Sequence, residues 1–534
     1  MENGGPASSC GPTSDDNLLI VSDLHLSQGR DPNTNRLSPN EDFLFDEEFA
    51  RFLAYYSDPS RRFGRPWHLI INGDFLDFLQ VTCIEGAAEE LSRGRPKYGL
   101  GCGEPESVFK LKRIFLGHKL LFAALAKFLD AGNSVTIIRG NHDVELYYHE
   151  VQAAFRTELA ALTAPPAAIA AAAASASAST TRPVVQPRGT VRFCDWFYYE
   201  PGLFWVEHGN QYDELNCFEN WLAPLLPSAL QDRRRKSEID LPWGSVFVRY
   251  LFNPVEKKEP FADNIKPQTR FISWFFAHHP IRALKFLFRD GNYMLGKMKR
   301  AWGRISHDDR SETHQQRLSS LAQQWRIDES DLRSIDALRA SSVFRNPKSW
   351  IMKFMRSSVR ARLFWPLVLG GLLLSASVLV QLGAHLLVYL FPILSKWITH
   401  PASQRFSDVL QWVLIALVAA AGGVWLGDRL FSPKPVALPE RAEKIADTLK
   451  VRYVLMGHTH DADLQPMGKD GGLPERWYLN TGTWTKVFSP EERLVREENE
   501  LVFVQCLRGQ GGLQVDLLKW QDQAREPRLV KLFT

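Results

Sequence analysis

Gly140-Asn141-His142-Asp143 is the stretch of the chain best suited to chemistry. It follows Ser134 to Ile138, a short β-branched run that reads as a buried strand. A strand that ends in a tight Gly turn presents the next side chains at the carboxyl edge of its sheet, where α/β folds place their sites. There Asn141 offers a carboxamide oxygen to a metal and His142 an imidazole to a substrate. Alone the tetrapeptide is only suggestive. Its weight comes from four other stretches of the same strand-then-turn form.

Leu18 to Val21 leads into Ser22-Asp23-Leu24-His25-Leu26, and Asp-x-His puts a carboxylate and an imidazole on one side of an extended turn. That spacing suits chelation of one hard-to-borderline metal. His68 to Ile71 leads into Gly73-Asp74-Phe75-Leu76-Asp77. Of these two carboxylates three apart, the first can bridge two cations and the second can orient a histidine. Leu203 to Glu207 leads into His208-Gly209-Asn210, with Asp213 just beyond, and Val451 to Met456 leads into Gly457-His458-Thr459-His460. Two His two apart on an extended segment reach two metals or grip one from the side. Each pair taken singly is more simply a β-turn with a surface His. Together Asp23, His25, Asp74, Asn141, His208, His458 and His460 form an oxygen and nitrogen set with no thiolate. Such a set suits paired Mn, Fe or Zn ions and not a sulfur-bound structural zinc.

The elements that must position these residues are legible in outline. Glu41 to Tyr56 carries Phe45, Phe49, Phe52, Leu53 and Tyr56 at helical spacing, which predicts a core-facing helix. Ser107 to Asp130 predicts one amphipathic helix ending near Gly132 in a left-handed cap. Val191 to Cys194, Trp196 to Glu200 and Leu203 to Glu207 read as a strand meander, and Trp477 to Asn480, Leu501 to Leu507 and Leu513 to Trp520 as closing strands. With 534 residues the chain is too long for one ordinary domain. Its net charge of +4 is too small to argue for nucleic acid, and none is expected as a partner. The six Cys (10, 83, 102, 194, 217, 506) show no CxxC spacing and read as reduced thiols. Residues 1–16 read as a polar tail without a secretory h-region, and the Ala- and Ser-rich 161–179 as a flexible surface insertion. The nine remaining His residues, His68, His118 and His314 among them, read as packed or solvated imidazoles.

The order of motifs, D-x-H, GDxxD, GNHD, HGN and GHTH, resembles the calcineurin-like metallophosphoesterases. The resemblance covers about 1–213 and 446–534. It implies an α/β fold, a two-sheet β-sandwich flanked by helices. It further implies that Asp23, His25 and His460 hold one divalent ion, that Asn141, His208 and His458 hold the other, and that Asp74 bridges them. Manganese is the first choice, with iron or zinc as alternatives. His142 would protonate the leaving group or bind the phosphate, oriented by Asp77. A carboxylate beside an imidazole raises its pKa and fixes its tautomer, which suits a general acid. Two departures narrow the branch. Phosphoprotein phosphatases of the family carry Arg directly after the second Asp of GDxxD, where this chain has Phe78. Ser22 to Leu26 resembles the opening of bacterial UDP-2,3-diacylglucosamine hydrolases, which typically have Arg where His142 stands and are much shorter.

Between the two parts lies a long insertion. Residues 214–362 are expected to be helical, with Arg282, Lys285, Phe286, Phe288 and Trp302 in a basic amphipathic stretch that suits either anionic headgroups or a basic soluble face. Leu363 to Leu394 is nearly all apolar, longer than the ~20 residues needed to span a bilayer. Val409 to Leu426 is a second apolar run. A two-helix transmembrane hairpin over 363–427 is expected. Two spans also return the chain to the side where Asn141 and His208 must meet His458 and His460. Arg345, Lys348, Lys353, Arg356, Arg360 and Arg362 precede the first run and Arg429, Lys434 and Arg441 follow the second, against Lys396 and Arg405 between them. That bias places the catalytic unit on the cytoplasmic face. The expected substrate contains phosphate, and the insertion adds the option of a lipid-linked one, as in a UDP-2,3-diacylglucosamine-type pyrophosphate hydrolysis. The rival of another class is a non-catalytic membrane scaffold or sensor that keeps the fold, which metal content below one ion per chain would favour.

Overall fold

A computed structural model describes residues 15–85, 98–163, 189–226, 238–256, 310–342, 438–468, 476–486, 488–489, 494–495, 500–509 and 512–530. The chain divides into two compact units, one of Met1–Asn264, Tyr293–Arg345 and Val436–Thr534, the other of Ile265–Asn292 and Asn346–Pro435. Every described residue belongs to the first. The expected hairpin at 363–427, the basic stretch at 281–304 and the Ala-rich stretch at 164–179 lie outside the described residues, among which no helix is long and apolar enough to cross a membrane.

The first unit is a mixed α/β structure with two mixed sheets flanked by helices. In the first sheet β1 (Asn17–Val21), β2 (Trp67–Asn72), β3 (Ser134–Ile138) and β4 (Val191–Cys194) run parallel. The second sheet is built on β5 (Phe197–Glu200), β6 (Phe204–Glu207), β7 (Tyr453–Met456), β8 (Ala462–Met467) and β9 (Arg476–Thr481), in the order β5-β6-β7-β9-β8. Within it β6, β7 and β9 are parallel. Then β10 (Val502–Gly509), β11 (Gly512–Gln521) and β12 (Glu526–Leu529) return to the first sheet, whose order is β12-β11-β10-β1-β2-β3-β4. The continuous apolar runs of β1, β2, β6 and β7 follow from burial on both faces, the usual state of a parallel strand.

Three departures from the sequence reading have visible causes. The expected meander over 191–207 is split, because the chain leaves the first sheet at Cys194 and opens the second at Phe197. The helix expected from Glu41 starts at Asp46, as α1 (Asp46–Ser57), since the Glu41 carboxylate is occupied by the backbone N–H groups of Ser27, Gly29 and Phe43. The single helix expected over 107–130 is two, α2 (Glu104–Gly117) and α3 (Lys119–Asp130). They break at His118, whose ring is drawn between Glu41 and Asp46. Cys83, Cys102, Cys217 and Cys506 are free, whereas Cys194 is disulfide-bonded, so the expectation of six reduced thiols is corrected there.

The described parts of 214–342 are tied into this unit. Helix α4 (His149–Thr163) covers the first sheet together with α2 and α3. Helix α5 (Arg310–Trp325) and helix α6 (Glu329–Asp336) bury Leu318, Trp325, Leu332 and Ile335 in the same core as the sheets. Trp325 sets its ring against Phe197 and Tyr198 of β5. Helix α7 (Leu438–Leu449) then leads back into β7.

Candidate metal centre

The parallel strands of the two sheets end at one place. Asp23 and His25 follow β1, Asp74 follows β2, Asn141 follows β3, His208 follows β6, and His458 and His460 follow β7. All seven side chains are buried. The facing ligand atoms of Asp23, His25 and His460 lie within 4.8 Å of one another, and so do those of Asp74, His208 and His458. Those of His25, Asp77 and His142 form a third such group, sharing His25 with the first.

The turns that deliver these groups are strained where they matter. Asp23, His25, Asp74, His458 and His460 all have positive φ, between 48° and 70°. This left-handed conformation costs a non-Gly residue about 1–3 kcal/mol, and surrounding structure must hold it. Here the backbone does so: Asp23 N–H donates to Gly73 O (3.2 Å), His25 N–H to Asp74 O (2.8 Å) and Leu26 N–H to Phe75 O (3.0 Å). The turns after β1 and β2 are thereby stitched to each other. At two glycines close approach is the requirement. A Cβ on Gly73 would sit 2.4 Å from the His208 ring, and one on Gly140 would sit 2.2 Å from Asp74 Oδ1.

Individual contacts fix the roles. His208 Nδ1 donates to Asn72 O (3.0 Å), which turns Nε2 to Asp74 Oδ2 at 3.0 Å. Asp74 Oδ1 accepts from the N–H of His142 (2.8 Å), the peptide that also carries Asn141. Asp23 Oδ2 accepts from Ser22 Oγ (2.6 Å) and His458 N–H (3.0 Å), while Oδ1 faces His460 Nε2 at 3.2 Å. His25 Nε2 stands 3.2 Å from His460 Nε2. Asp77 Oδ2 takes His142 Nδ1 at 2.6 Å and lies 3.5 Å from His25 Nδ1. His142 is the least covered of these, with 14% of its side chain exposed, so it is the group that can meet a substrate.

Electrostatics follow from crowding. Burial alone would push the Asp23, Asp74 and Asp77 carboxyls up, but the facing imidazoles override it and hold all three well below the ordinary carboxylate range. Burial would likewise depress the His208 imidazole, yet Asp74 and Asp23 hold it up, to about 9. The structure brings Asp23, His25, Asp74, Asp77, His142, His208, His458 and His460 into one cluster and sets Asn141 on the adjoining turn, where the next N–H is bonded to Asp74. Two further residues had no assigned part. Asp143 is fully buried and braces two turns, accepting from Gly140 N–H (2.6 Å) and from Phe75 N–H (2.9 Å). Asp213 Oδ2 lies 3.1 Å from His458 Nε2. Both sit inside or just after a motif, and position within a motif was the only signal.

The chain matches no family model and no curated protein. Whether the residues fit a pair of cations therefore rests on their own chemistry. Asn141 Oδ1 is buried without a hydrogen-bond partner, while Asp23 Oδ1 faces His460 Nε2 and His208 Nε2 faces Asp74 Oδ2. An orphaned buried polar atom costs about 1–3 kcal/mol. One such orphaned oxygen, beside a crowd of facing carboxylates and imidazoles, fits cations bound there.

Proposed function

We propose that the chain is a two-metal phosphoesterase that hydrolyses a phosphate ester or pyrophosphate bond. The observation that supports this most is the gathering of carboxylate and imidazole donors from Asp23, His25, Asp74, His208, His458 and His460 at four strand-end turns, with the buried Asn141 Oδ1 left without a hydrogen-bond partner on a fifth. Asp23, His25 and His460 would hold one divalent ion, Asn141, His208 and His458 the other, with Asp74 between them. When bound, such a pair supplies a nucleophile at neutral pH and neutralises charge on a phosphoryl group. Manganese suits this donor set, as do iron and zinc.

The chain's own residues do the rest. His142 is fixed through Nδ1 by Asp77, which leaves Nε2 for a substrate, and its side chain is partly exposed. Through Nε2 it would donate a hydrogen bond to a phosphoryl oxygen or a proton to the leaving oxygen. The backbone stitching of the β1 and β2 turns keeps Asp23, His25 and Asp74 in place before any ligand arrives, so no reorganisation is needed at the moment of reaction.

The test is hydrolysis of p-nitrophenyl phosphate and bis-p-nitrophenyl phosphate by the purified chain with added Mn. Activity that survives Asp74→Ala and His208→Ala rejects the proposal. Extending the screen to nucleotide-linked lipids decides whether the substrate is lipid-linked. The cytoplasmic-face membrane setting is proposed from the two apolar runs and their flanking charges alone. It is checked by alkaline carbonate extraction and by protease protection of the catalytic unit in sealed vesicles.

A further inference from the structure

We infer that Asp213 is a positioning residue for His458, fixing which imidazole nitrogen is turned to the metal centre. The inference rests on the two-cation reading above and extends it to a residue that the motifs leave without a role. An imidazole has two nitrogens, and a metal ligand needs the one without a proton facing the ion, a choice set by the hydrogen bond of the other. His208 makes that choice through the backbone, donating Nδ1–H to Asn72 O. His458 has its Nε2 3.1 Å from Asp213 Oδ2. With Nε2–H committed to the carboxylate, Nδ1 is the nitrogen left for an ion.

Asp213 is built for this task and not for ligation. Its Oδ2 also takes Asn216 Nδ2 (2.7 Å), and its Oδ1 takes Leu215 N–H (2.9 Å). Its carbonyl accepts from Asn216 N–H (3.1 Å) and Cys217 N–H (2.8 Å), which closes the turn around the carboxylate. These donors leave the carboxylate one well-aimed approach, toward His458. The loop is itself anchored from the segment after helix α6, where Ala340 N–H donates to Gln211 O (2.9 Å) and Cys217 Sγ–H to Ala340 O (3.4 Å). An ordinary surface ion pair would be exposed and singly held. Here both side chains are mostly covered, 7% and 17% exposed.

The experiment compares the full chain with Asp213→Asn, which keeps an acceptor oxygen, and Asp213→Leu, which keeps none. Manganese affinity is read by competition with a chromophoric chelator, and the His458 tautomer by 15N NMR of the metal-free, histidine-labelled protein at a pH where the ring is neutral. The resonance is assigned by its loss in His458→Gln. Wild type is expected to show the Nε2–H tautomer. Asp213→Leu is expected to lose that preference and to weaken one of two Mn ions about 10–100-fold, with Asp213→Asn between the two. Unchanged affinity for both ions in both variants, or an Nδ1–H ring in wild type, overturns the inference. A wild type that binds fewer than two ions, yet shows an Nε2–H ring that Asp213→Leu abolishes, rejects the two-cation reading and leaves the positioning role standing. If Asp213→Leu fails to fold, Asp213→Asn carries both readouts.

Discussion

Asp77 Oδ2 holds His142 Nδ1 at 2.6 Å, while the Asp74 carboxylate three residues earlier takes the His142 backbone N–H. One turn after β2 thus fixes both the ring and the main chain of the residue proposed to meet the substrate. If His142 and Asp77 act as a unit, Asp77→Asn should lower kcat for p-nitrophenyl phosphate about 10²-fold or more, the scale of general acid catalysis, with a smaller change in KM. The double variant Asp77→Asn with His142→Gln should be no slower than His142→Gln alone, because residues acting as one unit are not additive. Steady-state kinetics of the three variants decide it. Independent, multiplying losses would separate the two residues.

The close approach at Gly140 gives a second expectation. A methyl there would meet Asp74 Oδ1 and Asp74 N at 2.2 and 2.4 Å, and the Asp74 side is the rigid one because it is stitched to His25. Gly140→Ala should therefore displace Asp74 or the Asn141 turn. The expected result is loss of at least one tightly held Mn per chain with the secondary structure retained, read by metal analysis after gel filtration and by circular dichroism. Full Mn retention would show that the turn can give way at no cost to the centre.

Away from the centre, His118 is a buried cation between two carboxylates. Burial alone would depress its pKa, but Glu41 at 3.2 Å and Asp46 at 3.0 Å hold it up, to about 10. The unfolded value is ~6.5. A group raised on folding contributes its stability in full below the unfolded value and loses it as pH climbs through the folded one. His118→Gln should lower stability by about 3–5 kcal/mol near pH 6, the cost of breaking a buried ion pair. The deficit against wild type should shrink steadily between about pH 7 and pH 10 in urea unfolding series. A deficit that does not vary with pH would mean that His118 is neutral in the folded chain.

How much of this was legible in the sequence depends on whether a signal was local. Each site motif is a strand plus the turn that ends it, and both parts are short-range, so Asp23 through His460 could be found before any packing was known. The assignment of strands to sheets was not local. Nothing in Val191 to Glu207 marks where the chain leaves one sheet for the other, because β4, β5 and β6 are all four-residue strands that carry aromatic side chains. The break at His118 was hidden for the same reason. Helical periodicity runs straight through it, and only Glu41 and Asp46, more than seventy residues earlier in the chain, draw the ring aside. Asp213 was visible just beyond the HGN motif but carried no role, because an Asp after a turn is common and its partner His458 lies beyond the whole insertion.

Arg139 is the residue where that kind of long-range contact bears hardest on the centre. It follows β3, one position before Gly140, and is 2% exposed. Its Nη2 donates to Asp195 O (3.1 Å) and Trp221 O (2.9 Å), and its guanidinium lies over the Trp221 ring at 4.5 Å. One planar cation thus joins the GNHD turn, the crossing between the sheets and the start of the insertion. Arg139→Met keeps much of the volume but leaves two buried carbonyls without their charged donor, so a loss of about 3 kcal/mol is expected. Arg139→Lys should recover only part of it, since an ammonium cannot reproduce the planar guanidinium's stack on the Trp221 ring. Because Asn141 hangs from the same turn, Mn affinity should fall in the same order, Met below Lys below Arg. Urea unfolding and chelator competition on the three proteins test both rankings, and a Met variant as stable as wild type would remove Arg139 from the support of the centre.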